Sequence, residues 1–179
     1  MIANAQRWTH RPHLGLVSLL LVALASTPAA ASLRQVQHEI RGMDCAPCAY
    51  GMQKSLRKLD GVEDVQVSLN DAMGTLTLAP GNEVTFEQIR DVIRKGGFKP
   101  MAATARVAGA LKRDGDQVIL TTESGQEYRL EIAKDARDAL SKRLQAFSEG
   151  SRILVTARVP AGTEQVQHLQ ARDVTGVSE

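Results

Sequence analysis

The sequence predicts an α+β chain in two parts. A β-α-β-β-α-β unit occupies residues 34–104, and a small, mostly-β module with one helix follows over 105–179. Three observations predict this: apolar residues alternate in short runs, two intervening segments repeat their apolar residues at helical spacing, and glycine- or proline-marked breaks separate them.

Residues 34–41 place Val36, His38 and Ile40 on one side and Gln35, Gln37 and Glu39 on the other, the pattern of a strand. Ala49, Met52, Leu56 and Leu59 then recur at helical spacing, with Lys54, Arg57 and Lys58 on the opposite face, and Asp60-Gly61 ends that helix. Val65, Val67 and Leu69 alternate with polar neighbours, Asn70 to Gly74 reads as a turn, and Leu76 and Leu78 resume the alternation, which predicts a hairpin. Thr85 with Gln88 forms a capping-box signature ahead of Phe86, Ile89, Val92 and Ile93, the stripe of a second helix that stops at Gly96-Gly97. Phe98 to about Thr104 is short and extended. This order is the split-βαβ, ferredoxin-like arrangement.

Between the first strand and first helix lies Gly42-Met43-Asp44-Cys45-Ala46-Pro47-Cys48, which holds both cysteines of the chain. Pro47 suits a first helical turn, where its missing N–H costs nothing. Cys45 therefore falls in the loop entering the helix and Cys48 in its first turn. Both sulfurs then lie near unpaired N–H groups and the positive end of the helix dipole, which favours thiolate over thiol. Such a pair grips a soft metal ion or cycles between dithiol and disulfide. A bridge across two residues closes almost no loop, so the pair is not a structural staple.

Residues 34–104 resemble the heavy-metal-associated domain of copper chaperones, periplasmic mercury-binding proteins and metal-pumping P-type ATPases. The motif carries the likeness, with Leu59-Asp60-Gly61-Val62 at the helix-to-strand junction and Gly97-Phe98 where relatives carry an aromatic near the loop. The resemblance implies a ferredoxin-like fold, Cys45 and Cys48 as metal ligands, Met43 as a buried anchor beneath the loop, and transfer of the ion to a membrane transporter by thiol exchange. Two thiolates favour Cu(I) or Hg(II). Asp44, which resembles a variant in some zinc, cadmium and lead exporters, would add an oxygen suited to Zn(II) or Cd(II). The same residue also reads as a solvated acid at a helix start. His38 reads as a strand surface residue and not a ligand, and His168 has no partner in sequence.

The remaining residues set the surroundings. Residues 1–31 carry Arg7 and Arg11, a twelve-residue apolar core and an Ala-rich exit, the layout of a cleaved secretory signal. That core is short of the about 20 residues that span a bilayer. An exported, periplasmic protein without a permanent membrane anchor is expected. Without this segment the chain carries twenty basic and twenty acidic residues, and nothing calls for nucleic acid as a partner.

In 105–179, Arg106 to Lys112, Val118 to Thr122, Tyr128 to Ile132, Ile153 to Val159 and Val166 to Val174 read as five strands, with a helix bearing Ala136, Leu140, Leu144 and Phe147 between the third and fourth. That order suits a small OB-like barrel. Only two aromatics and balanced charge make it an interaction or spacer module. Met101 to Ala105 reads as a short link of mainly small residues.

No serine nucleophile context, paired histidine and acid, or phosphate loop is present, so the chain is not expected to be an enzyme. The expected function is capture of one soft or heavy metal ion between Cys45 and Cys48, as a carrier or scavenger. Two alternatives stand beside it. One is a thiol–disulfide oxidoreductase using Cys45-Ala46-Pro47-Cys48, although no Trp precedes Cys45. The other is an interaction module with a vestigial metal loop.

Overall fold

A computed structural model describes residues 32–162 and 166–177; the signal-like segment 1–31 lies outside the described residues. The chain opens with β1 (Leu33–Arg41), α1 (Ala46–Leu56), β2 (Val62–Ser68), β3 (Met73–Leu78) and α2 (Phe86–Lys95). It continues with β4 (Lys99–Asp114), β5 (Gln117–Thr121) and β6 (Glu127–Ile132). A 3-10 turn (Lys134–Ala136) leads into α3 (Arg137–Gln145), and β7 (Arg152–Val159) and β8 (His168–Gly176) close the fold.

The first part is the expected ferredoxin-like unit, with antiparallel strand order β2-β3-β1-β4. Val36, Ile40, Val65, Leu76 and Leu78 turn to the helical side, where they meet Met52 and Leu56 of α1 and Phe86, Ile89 and Ile93 of α2, all nearly or wholly buried. Gly61 ends the α1 turn at φ +89°, and a Cβ there would stand 2.6 Å from Asn82 Cβ. Asn82 is itself buried: its amide N–H groups face Ser32 Oγ, Leu33 O and Ala79 O, and its carbonyl accepts from Val84 N. It ties the start of β1 to the segment entering α2.

The helix start read from Thr85 and Gln88 is present in full: Thr85 Oγ1 accepts from Gln88 N at 3.2 Å, and Gln88 Oε1 accepts from Thr85 N at 2.9 Å. Thr85→Ala removes one half of this box and is expected to lower stability by about 1 kcal/mol, measured as a drop in urea midpoint at unchanged slope.

The second part departs from the sequence reading at its entrance. Met101 to Ala105 is not a link: these residues lie inside β4, a continuous strand of sixteen residues. One edge of β4 pairs with β1 from Lys99 to Val107 and then with β5 from Ala110 to Asp114. Its other edge pairs with β7 from Ala103 to Ala110. The physical reason for the small residues is close packing between two neighbours, since Ala103, Ala105 and Val107 face inward opposite Val159, Ala157 and Val155. Gly109 sits where the edge passes from β1 to β5; a Cβ there would stand 2.7 Å from Leu120 Cγ and 2.9 Å from Thr121 O.

From β4 the strands run β5-β6-β8-β7 and return to β4, so the five close into a barrel, with β6 and β8 parallel. Five strands and one helix between the third and fourth match the expected order. Leu140 and Leu144 of α3 are buried against it. Because β4 keeps the same side inward along its length, the barrel interior and the helical side of the first sheet merge into one hydrophobic core.

Helix α2 completes that union. Phe86, fully buried, meets Tyr128 of β6 edge-on, with ring centroids 6.1 Å apart and planes at 82°. Next to it Glu87 Oε1 accepts from Val166 N at 2.8 Å, and one turn on Arg90 Nη2 donates to Pro160 O at 2.8 Å.

Candidate metal centre

The CxxC loop is built from both ends. β1 delivers the chain to Gly42, whose φ of +91° turns it into the loop. Met43 is buried at 6 % exposure and anchors the loop in the core, as the family resemblance implies. Cys45 is the N-cap of α1, in extended conformation, and its carbonyl accepts the first helical bond from Ala49 N at 3.1 Å. Its Sγ accepts from Cys48 N at 3.2 Å, doing with sulfur what a serine or aspartate oxygen does at most helix starts. Pro47 occupies the first turn.

The two cysteines therefore meet at the head of α1, with Cα atoms 5.1 Å apart, and are joined as a disulfide. Cys45 is exposed and Cys48 partly buried against the core. Asp44 is exposed beside them, and among the described residues no three His, Cys, Asp or Glu groups converge as a metal site. Phe98 is half-buried on the core: a Cβ on Gly96 would touch both Phe98 and Met52 of α1.

His38 corrects the sequence reading. It is fully buried, on the same side of β1 as Val36 and Ile40. Nδ1 donates to Glu39 O at 3.0 Å, which leaves Nε2 to accept from Arg90 Nε at 3.4 Å. Burial lowers its pKa from 6.5 to about 4; the Glu39 carbonyl opposes this, while Arg90 and Arg94 add to it. His38 is thus a neutral acceptor for a guanidinium that is itself only 1 % exposed. His168 lies far along the chain on the barrel, paired with Glu131 at 2.9 Å.

Two residues escaped the sequence analysis. Arg90 takes the i+4 place on the face of α2 that carries Phe86, Ile89 and Ile93, and its charge hid that signal of burial. Tyr50, on the outer face of α1 two residues past Cys48, is 70 % exposed, the one large apolar side chain so exposed among the described residues. Its place off the Ala49-Met52-Leu56 stripe was the available clue.

Residues 39–99 match the heavy-metal-associated domain model. An uncharacterised protein of Haemophilus influenzae is 32 % identical over 80 residues, which cover 45 % of this chain and 82 % of that one. The mercuric reductase of Acidithiobacillus ferrooxidans is 29 % identical over 125 residues, 69 % of this chain and 20 % of the reductase. Among solved structures, the yeast copper transporter domain Ccc2a, determined in apo and Cu(I)-loaded states, is 33 % identical over 37 % of this chain and 90 % of that domain, with a TM-score of 0.35. With the motif and the βαββαβ order on the same residues, the chain belongs to the heavy-metal-associated domain family.

Proposed function

We propose that the protein captures one soft metal ion between Cys45 and Cys48 in their reduced state and hands it to a membrane transporter. The observation that carries this reading is the meeting of both sulfurs at the exposed, N-terminal end of α1, over a loop fixed by buried Met43. Helix N–H groups stabilise thiolates there, and two thiolates form a low-coordinate site for Cu(I) or Hg(II). Low coordination leaves the ion open to attack by another protein's thiols. Relatives named for copper transport and for mercuric ion reduction agree with a soft cargo. Exposed Tyr50 beside the loop provides apolar surface for the receiving protein.

The exported location implied by residues 1–31 belongs to the same proposal. So does the OB-like nature of the barrel, supported by its β4-β5-β6-β8-β7 closure and the parallel β6–β8 pair. The disulfide favours a second reading, in which the same pair exchanges with other thiols. In an oxidising compartment metal capture then requires prior reduction.

Native mass spectrometry on anaerobically reduced protein, offered Cu(I), Hg(II) and Zn(II) together, separates these. One Cu(I) or Hg(II) per wild-type chain, and none in a Cys45→Ser, Cys48→Ser double variant, is expected. A reduced wild type that retains no soft ion overturns metal capture and leaves thiol exchange.

A further inference from the structure

The side of the sheet opposite the helices has no role in metal capture. β7 and β8 extend the ferredoxin-like sheet past β4, so this outer face runs across six strands. One register row across it reads Gln66, Thr75, Gln37, Thr104, Arg158 and Gln170. The next row places Thr77, Gln35, Arg106 and Thr156 between Asp64 and Asp173.

We propose that this face binds an acidic carbohydrate polymer, a chain of sugars bearing carboxylates. Neighbouring strands present amides and hydroxyls about 4.8 Å apart, close to the length of one pyranose unit, and these groups match sugar hydroxyls as donors and acceptors. The two acids of these rows stand on the outermost strands, β2 and β8, each held by an arginine. Asp64 is bonded by Arg57 at 2.9 Å, and Asp173 by Arg143. Glu39, exposed on β1, stands outside both rows, opposite Met73.

At the centre, Arg106 of β4 and Arg158 of β7 are both exposed and neither has an acid partner among the described residues. Thr104 faces Arg158 and Thr156 faces Arg106, which makes the two arginines diagonal neighbours roughly 7–8 Å apart at the backbone. Each guanidinium offers a planar fork that fits a carboxylate. Neither row carries an aromatic to stack a nucleobase or an apolar side chain to enter a bilayer, which sets nucleic acid and membrane behind the glycan.

Affinity electrophoresis of the full chain through polygalacturonate tests this, with neutral dextran, duplex DNA and phosphatidylglycerol vesicles as competing probes. Wild type is expected to be retarded by polygalacturonate and not by dextran. An Arg106→Gln, Arg158→Gln double variant is expected to bind about tenfold or more weakly, while Arg137→Gln on α3 keeps wild-type affinity. Arg106→Lys, Arg158→Lys keeps charge without the fork and is expected to fall between them. No retardation, equal loss in Arg137→Gln, or equal binding to DNA or vesicles overturns the proposal. Metal uptake in these variants is expected to stay at one ion per chain, so failure here is distinguishable from failure of metal capture.

Discussion

Phe86→Ala is expected to destabilise the protein by about 3–5 kcal/mol and to do so for both parts at once. Phe86 stands at the first turn of α2, yet its ring is buried against Tyr128 of the barrel. Truncation removes a fully buried aromatic and opens a cavity at the junction. It also ends an edge-to-face contact worth roughly 1 kcal/mol beyond area burial. Since one core runs through the two parts, the loss falls on a single cooperative unit. Urea unfolding followed by near-ultraviolet signal from Tyr128, and separately by hydrogen exchange of the β1 and α1 backbone amides, is expected to give coincident curves at a lowered midpoint. Curves that separate, with the β1 and α1 amides still protected after Tyr128 has been released, would show that the parts fold independently.

Acid is expected to weaken the same junction. His38 is neutral in the folded protein with a pKa of about 4, against 6.5 when exposed. The unfolded chain therefore binds a proton between these values that the folded chain refuses. Stability is complete above about pH 6.5, falls as pH drops towards 4, and levels off below it, a loss of roughly 3 kcal/mol. The structural cause is burial of the imidazole with the Arg90 guanidinium on its Nε2. Protonation would bring two cations together where water is absent. Chemical denaturation from pH 7.5 to 4.5 at constant ionic strength measures the decline. His38→Gln is expected to flatten the slope through pH 6 to 5, whatever it does to absolute stability. An unchanged slope in that variant would assign the decline to other groups.

The sequence carried most of the first part because its signals are local. Alternation in β1, the stripes of α1 and α2, the Thr85 box and the CxxC motif each need only neighbouring residues. The place of Cys45 at the entry to α1 was legible for that reason, whereas the burial of Met43 was implied by the family resemblance. His38 was misread although its alternation with Val36 and Ile40 already pointed it inward; its polarity argued for water, and the partner that makes burial tolerable, Arg90, lies 52 residues away. Arg90 was passed over in turn: it shares a face of α2 with Phe86, Ile89 and Ile93, but its acceptor Pro160 lies 70 residues away in sequence. The mistaken link at Met101 to Ala105 has the same root. Small residues mark flexible connections and also strands squeezed between two partners, and only the distant strand β7 decides between them.

A shared strand constrains the chain in a way a linker would not. Because successive residues of β4 point to opposite sides, adding or deleting one residue near Ala108 would turn every later side chain over, sending Leu111 to water and Lys112 into the barrel. Between these two parts, length itself is information: the joint tolerates no drift by single residues. The cysteine loop and the barrel consequently hold a constant bearing to one another, so anything that grips the barrel also aims the loop.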